Sequence, residues 1–224
     1  MSSHHIVREK QEPALLIANG EACRMELLEE LLEWSPYILV LDGAIDRVLS
    51  LDIKVDALLG DFDGHQASLD QISEQQFPIE IIHTPDQNYT DLEKGLNFLI
   101  ERGFPAVNIL WATGRRMDHT LANVFNLIKY QTKIKICMMD DYSKIYPLLP
   151  VPSNFQKWYK KGSVISLLPL LKTENFYSKN LKYPLEGLSL AIGEMLGNSN
   201  EAAADGLVEI GFETGSLLLI EGID

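Results

Sequence analysis

The sequence predicts an α/β protein whose N-terminal part is a mostly parallel sheet with helices on both faces, followed by a small C-terminal all-β sandwich domain. Three observations carry this. Over about the first 145 residues, short apolar runs alternate with segments of helical periodicity, the pattern of repeated strand-helix units. Pro147-Leu148-Leu149-Pro150-Val151-Pro152 then places three prolines in six residues, which breaks regular structure. After it, helical periodicity is absent and apolar runs are separated by Gly, Asn, Pro and Asp, as in antiparallel β domains.

The elements follow in order. Residues 14–19 read as a strand and 23–33 as a helix with Met25, Leu28, Leu31 and Leu32 inward. Residues 37–41 read as a strand, 46–51 as a short helix, 56–59 as a strand, 68–75 as a helix and 79–83 as a strand. Residues 90–102 read as a helix with Leu92, Leu96, Leu99 and Ile100 on one face, and Thr90 with Glu93 fits a capping box at its start. Residues 106–112 are a strand, 118–130 a helix that Asp118 could cap, and 134–139 a strand. Beyond the prolines, strands are expected in 163–168, 188–192, 206–212 and 216–220. The domains are therefore drawn at 1–146 and 147–224.

A chain of 224 residues with 46% hydrophobic and 23% charged residues is ordinary for a globular protein. Its formal net charge of −13 argues against nucleic acid or an anionic membrane as partner, though not against a nucleotide offset by local cations. Cys23 and Cys137 are too few and scattered for a disulfide framework or a CxxC metal site, so free, buried thiols in a reducing compartment are expected. The N-terminus, with only His4 and His5 as a histidine cluster, carries no apolar signal segment, and no run reaches a membrane span. The expected location is the cytoplasm.

The chemistry concentrates at strand ends. Ala57-Leu58-Leu59-Gly60-Asp61-Phe62-Asp63-Gly64 is an apolar run that stops at glycine and delivers two carboxylates at i and i+2. In open α/β sheets the C-terminal strand edge is where ligands bind, and i and i+2 on an extended segment point the same way. Two carboxylates ~6 Å apart repel by roughly 3 kcal/mol at an effective dielectric of 20, so the pair is either well hydrated or held by a cation. Mg²⁺ is the usual choice for hard oxygen ligands beside phosphates; a solvated Asp-Gly turn is the alternative. Asp42-Gly43 ends the preceding strand, Thr84–Asp91 follows the next, and Thr113–Asp118 the one after. Several acids at one edge, with Lys94, Arg115 and Arg116 among them, point to a phosphate-plus-Mg²⁺ site. Taken alone, Asp91 suits a helix dipole, Asp118 an N-cap and His119 a structural hydrogen bond. The chain has no P-loop, no GxGxxG after its first strand and no GxSxG elbow, which argues against a serine hydrolase or a Rossmann dehydrogenase.

Asp42-Gly43-Ala44 before Arg47, Gly60-Asp61-Phe62-Asp63, Asn88 to Lys94 and Ala112 to Thr120 resemble the thiamine pyrophosphokinase family in order and spacing. Leu181 to Leu185 and Asn198 to Glu201 are similar to that family's thiamine-binding domain. The resemblance implies an α/β domain followed by a β-sandwich, a homodimer with sites at the subunit junction, and attack of the thiamine hydroxyl on the β-phosphorus of ATP to give thiamine diphosphate and AMP. It further implies that Asp61, Asp63 and Asp91 hold Mg²⁺, that Arg116 stabilises charge, that Asp118 orients or deprotonates the hydroxyl and that Lys94 contacts phosphate. Asp42, Gly43, Arg47, Thr90, Thr113 and Gly114 fall on the nucleotide side. Tyr183, Ser199 and Asn200 fall on the thiamine side, where an aromatic face suits an aromatic cation. Two departures stand out. The family usually carries Asp-Gly-Gly-Ala-Asn where this chain has Asp42-Gly43-Ala44-Ile45-Asp46, and it often has glycine at the position of Arg115. Two other readings stay open: a non-catalytic thiamine or nucleotide binding protein, and a Mg²⁺-dependent phosphotransferase acting on another alcohol.

Overall fold

A computed structural model describes residues 13–63, 69–152 and 154–223. By compactness the chain forms two units: the described residues up to Asn19 with Arg24–Ile109, and Gly20–Cys23 with the residues from Leu110 onward.

In the first unit β1 (Ala14–Ile17), β2 (Ile38–Leu41) and β3 (Ala57–Gly60) are four-residue strands buried at every position. Runs without polar alternation are what a parallel sheet covered on both faces requires. The order is β5 (Ala106–Leu110), β1, β2, β3, β4 (Glu80–His83), with β1–β2, β2–β3 and β3–β4 parallel. Around the sheet lie α1 (Met25–Leu32), a 3-10 turn over Asp42–Ala44, α2 (Ile45–Leu49), α3 (Leu69–Gln75) and α4 (Asp91–Glu101). Helix α4 buries Leu92, Leu96 and Leu99, and Ile100 is half-buried beside them. At Gly95 an added Cβ would stand 2.8 Å from Leu16 Cδ1, so glycine is what lets this helix lie so close to the sheet. Helix α1 departs from expectation: only Leu28 is fully buried and Met25 is exposed, because it lies in the first, uncovered turn. Ser68 and Gly64 lie outside the described residues, as do His4 and His5.

In the second unit α5 (Met117–Tyr130) leads into β6 (Lys135–Met139) and then seven strands: β7 (Ser143–Leu148), β8 (Phe155–Tyr159), β9 (Val164–Glu174), β10 (Tyr177–Lys179), β11 (Gly197–Glu201), β12 (Gly206–Gly211) and β13 (Thr214–Gly222). They pair as β11-β9-β13-β7-β6 and β10-β12-β8, all antiparallel. One apolar core holds the two sheets together. Ile165, Leu167, Leu217 and Leu219 enter it from the first sheet, and Tyr159, Val208 and Ile210 from the second. This is the expected sandwich.

Three details differ from expectation. Pro147 does not end structure: it sits inside β7 opposite Leu218, past the register with β6, which pairs Met139 with Lys144 and Met138 with Ile145 and goes no further, so the missing N–H of proline breaks no β6 pair there. Residues 188–192 form only isolated bridges, Thr173 with Leu190 and Ala191 with Met195. Cys23 and Cys137 form no disulfide and are half-buried rather than buried, and burial pushes the Cys137 thiol up to about 11. Among the described residues no helix is long and apolar enough to cross a membrane.

Candidate active site

The first group of polar residues stands where parallel strands of the first unit end. Asp42 follows β2. Its Oδ1 accepts the Gly43 N–H at 2.6 Å and its Oδ2 accepts the Phe62 N–H at 3.1 Å. The side chain rests against β3: an added Cβ on Gly60 would lie 2.2 Å from Asp42 Cγ. Gly43 is likewise fixed by its neighbour, since a Cβ there would lie 2.2 Å from Asn19 Nδ2, and Asn19 Oδ1 accepts from Arg47 Nη2 at 2.8 Å. Asn19, Asp42 and Gly60 thus terminate three adjacent strands in one interlocked layer.

Beyond Gly60 the chain does not stay extended. Phe62 has φ +56° and turns inward, 2% exposed, stacked on His83 with ring centroids 6.1 Å apart. A left-handed non-glycine residue costs of order 1–3 kcal/mol, which the burial of a phenylalanine side chain, worth about 1.5–3 kcal/mol, offsets. The expectation that Asp61 and Asp63 share a face because they lie two apart on a strand is therefore corrected. They flank a turn whose central side chain is buried, with Asp63 exposed and Asp61 half-buried. Asp61 Oδ2 accepts from Gln87 Nε2 at 3.1 Å and Oδ1 accepts the Asp63 N–H at 3.4 Å. The Gln87 hydrogen bond, then that N–H, hold the Asp61 carboxyl below the usual range, with Lys94 contributing.

Helix α4 supplies the rest of this group. Thr90 caps it in the expected capping box: Thr90 Oγ1 accepts the Glu93 N–H at 3.3 Å and the Thr90 N–H reaches Glu93 Oε2 at 2.9 Å. Asp91 in the first turn faces solvent. Lys94 is buried, and its Nζ donates to the Thr84 carbonyl at 2.9 Å and lies 3.4 Å from Asp91 Oδ1. Its ammonium is thus tied to the end of β4 in this state. Burial pushes the Asp42 carboxyl up; the Phe62 and Gly43 N–H groups oppose this, while Asp91 and Asp61 add to it. Three carboxylates that feel one another beside one ammonium are a setting that a hard cation would relieve. Among the described residues no three His, Cys, Asp or Glu side chains form a ready-made cage. Mg²⁺ does not need one, since it usually takes one or two carboxylates plus waters and substrate phosphates.

The second group lies in the second unit. Gly114 has φ +73°, and a Cβ there would lie 2.5 Å from Glu21 Cβ. The Glu21 N–H in turn donates to the Thr113 carbonyl at 2.8 Å. Thr113 Oγ1 donates to Asp140 Oδ2 at 2.9 Å. Arg115 takes φ +55°, which explains why glycine suits that position. Arg116 is the N-cap residue of α5, by backbone position and without a side-chain cap bond, so the expected cap at Asp118 is corrected. Asp118 instead receives the guanidinium in a fork, Nε to Oδ1 at 3.1 Å and Nη2 to Oδ2 at 2.6 Å, with both side chains exposed. This pairing lowers the Asp118 carboxyl from its ordinary value.

The third group is in the sandwich. Tyr183 is 55% exposed. Asn200, 2% exposed, grips its backbone: Oδ1 accepts the Tyr183 N–H at 3.0 Å and Nδ2 donates to the Tyr183 carbonyl at 2.7 Å. The same Oδ1 accepts the Glu201 N–H at 2.8 Å. Ser199 sits at φ +55°, its N–H on Ser166 Oγ at 2.9 Å, within a register shift of β11 on β9. Lys182 pairs with Glu201 and lies 5.4 Å from the centre of the Tyr183 ring.

Sequence reasoning missed Asn19, Phe62, Gln87 and Asp140. Asn19 and Asp140 follow β1 and β6, so the strand-end rule used for Asp42 finds them. Gln87 and Phe62 carry no such signal.

Comparison with known proteins gives the family and the fold. The family description "Thiamin pyrophosphokinase, catalytic domain" matches residues 28–138, and "Thiamin pyrophosphokinase, vitamin B1 binding domain" matches residues 151–217. Thiamine pyrophosphokinase of Bacillus subtilis is 30% identical over 176 residues, covering 77% of this chain and 80% of its own. Thiamin pyrophosphokinase 1 of Caenorhabditis elegans is 26% identical over 196 residues, covering 82% and 79%. Among solved structures, the Bacillus subtilis thiamine pyrophosphokinase superposes with a TM-score of 0.81 at 23% identity over 95% of this chain and 100% of that one. The Candida albicans thiamin pyrophosphokinase superposes with a TM-score of 0.78 at 16% identity over 96% and 90%. The chain belongs to the thiamin pyrophosphokinase family.

Proposed function

We propose that this protein is a Mg²⁺-dependent thiamine diphosphokinase, transferring the diphosphate of ATP to the hydroxyl of thiamine and releasing AMP. The observation that carries the reading is the match of both domains of one enzyme family, in order, along a single chain. The division of labour is taken as 1–146 for ATP and Mg²⁺ and 147–224 for thiamine.

In the reaction the thiamine oxygen forms a bond to the β-phosphorus and the bond from that phosphorus to the AMP oxygen breaks. The hydroxyl proton leaves to a base or to water. Such transfers need in-line positioning and charge neutralisation more than covalent help. Asp61, Asp63 and Asp91 are the residues assigned to hold Mg²⁺, which would neutralise phosphate charge. Lys94 balances that acidic group from behind and is assigned a phosphate contact once its present partners are exchanged. Arg116 offers a planar fork for the transferred group. Asp118, which holds the Arg116 fork in this state, is assigned to orient or deprotonate the hydroxyl once that fork turns to the phosphate. Gly43, Arg47, Thr90, Thr113 and Gly114 are assigned to the nucleotide; Asp42, expected beside them, has both carboxylate oxygens on the backbone N–H groups of Gly43 and Phe62. Tyr183 offers one open aromatic face for thiamine, with Ser199 and Asn200 shaping the adjacent turn. The enzyme is read as a cytoplasmic homodimer, and its two cysteines, in no disulfide, suit a reducing compartment.

Incubation with ATP, Mg²⁺ and thiamine tests this. AMP and thiamine diphosphate are expected in equal amounts. Formation of ADP, or no reaction with thiamine, would remove it.

A further inference from the structure

We infer that Asp42 is a positioning residue, which holds the turn carrying Asp61 and Asp63 in its productive shape rather than meeting the nucleotide itself. The inference rests on the Mg²⁺ reading above and concerns how this chain prepares that loop.

Four observations converge. The two oxygens of Asp42 are each engaged by a backbone N–H, those of Gly43 and Phe62. The second of these belongs to the residue between the two acids. That residue sits at φ +56°, a conformation a phenylalanine rarely adopts. The carboxylate also lies so close to Gly60 that any side chain there would displace it, with a Cβ 2.3 Å from Oδ2. Above the turn, Gly60 continues the ladder through its carbonyl, which accepts the Thr84 N–H at 2.7 Å. The turn is therefore anchored on three sides: by β4 through Gly60, by His83 through the Phe62 ring, and by Asp42 through the Phe62 amide. Only the last fixes the peptide plane between Asp61 and Phe62, and with it the direction in which Asp61 leaves the turn. Release that contact and the left-handed residue is free to relax toward an extended conformation, swinging both carboxylates.

The role separates from a direct one by where the effect appears. Amide hydrogen exchange in the metal-free, nucleotide-free protein reads the clamp alone. In Asp42→Ala the Phe62 amide is expected to exchange at least about tenfold faster than in the wild type, the order expected for loss of a charge-assisted hydrogen bond. Asp42→Asn keeps one acceptor oxygen and is expected to fall between. Gly60→Ala leaves Asp42 chemically intact and pushes it off the amide, so it should reproduce the faster exchange. Mn²⁺ binding, followed by electron paramagnetic resonance with a non-hydrolysable ATP analogue present, should weaken in the same order, by about tenfold for Asp42→Ala. Unchanged Phe62 exchange in both Asp42→Ala and Gly60→Ala would overturn the inference. So would equal losses of Mn²⁺ affinity in Asp42→Asn and Asp42→Ala, which would mark a role of charge alone. Failure of the wild type to bind Mn²⁺ with the analogue would defeat the metal reading instead, and leave the exchange result to judge the clamp.

Discussion

Replacing Asn200 by alanine separates a scaffold role from direct contact with thiamine. The amide is 2% exposed and makes three hydrogen bonds, two from its Oδ1 and one from its Nδ2, which tie Tyr183 to Glu201. At about 0.5–1.5 kcal/mol net for each, their loss removes ~3 kcal/mol in total. For a protein of this size that lowers Tm by about 6–12 °C. The backbone of Tyr183 is then unpinned, so KM for thiamine should rise while kcat for bound substrate falls less. Tyr183→Ala is the comparator. Its ring is more than half exposed, so it should raise KM with Tm within ~2 °C of wild type, as expected for a surface substitution. Thermal unfolding followed by near-ultraviolet circular dichroism, with steady-state kinetics at several thiamine concentrations, measures both. Asn200→Ala with an unchanged Tm and a raised KM would refute the reasoning, and would mean that the amide acts on the ligand and not on Tyr183.

Other consequences are equally direct. Asp61→Asn and Asp63→Asn should each abolish Mg²⁺-dependent turnover while leaving the fold intact, since each change keeps the side chain's size; near-normal turnover in both would remove them as metal ligands. Arg116→Lys should lose most activity because an ammonium cannot reproduce the fork, whereas Arg115→Gly should be active and at least as stable, because φ +55° suits glycine; the reverse ranking would contradict the loop assignment. The native Asp61 pKa lies below its ordinary value, chiefly through Gln87, so its contribution to folding is present above the ordinary carboxylate range and fades as pH falls through the lowered value. Gln87→Leu should therefore move the acid limb of metal-dependent activity to higher pH and leave the alkaline limb in place; an unmoved acid limb would contradict it. If each site is completed across a homodimer, mixing inactive Asp61→Asn with Tyr183→Ala, assayed at thiamine too dilute for Tyr183→Ala to turn over, should restore up to about one quarter of wild-type activity after subunit exchange. No recovery despite exchange, or a monomer by sedimentation, would eliminate the shared site.

Much of the fold was legible because apolar runs and helical stripes report burial directly. Strands β1 to β3 are buried throughout, and α4 carries its inward stripe and its capping box in plain sequence. What escaped has physical causes. Strand β11 reads Gly-Asn-Ser-Asn-Glu and has no apolar alternation; it is held by pairing with β9 and by the Asn200 contacts. The run at 188–192 is apolar yet forms only bridges, so apolarity alone did not make it a strand. At the site, strand ends located Asp42, Asp61 and Thr113. The left-handed Phe62 was hidden, because nothing local marks it. The tertiary contacts that stabilise it come from Asp42 and His83, each about 20 residues away. The hydrogen-bond economy of Asn200 and Lys94 was equally invisible, since it depends on Tyr183 and Thr84 backbone groups brought near by the fold.

The central claim is that the whole diphosphate of ATP passes to thiamine. The most direct measurement uses ATP labelled separately at the α- and γ-phosphorus, with thiamine and Mg²⁺, followed by separation of the products. The account predicts that the γ label appears in the terminal phosphate of thiamine diphosphate while the α label stays in AMP, one of each per turnover. Appearance of the γ label in inorganic phosphate or in thiamine monophosphate, with the α label in ADP, would contradict it.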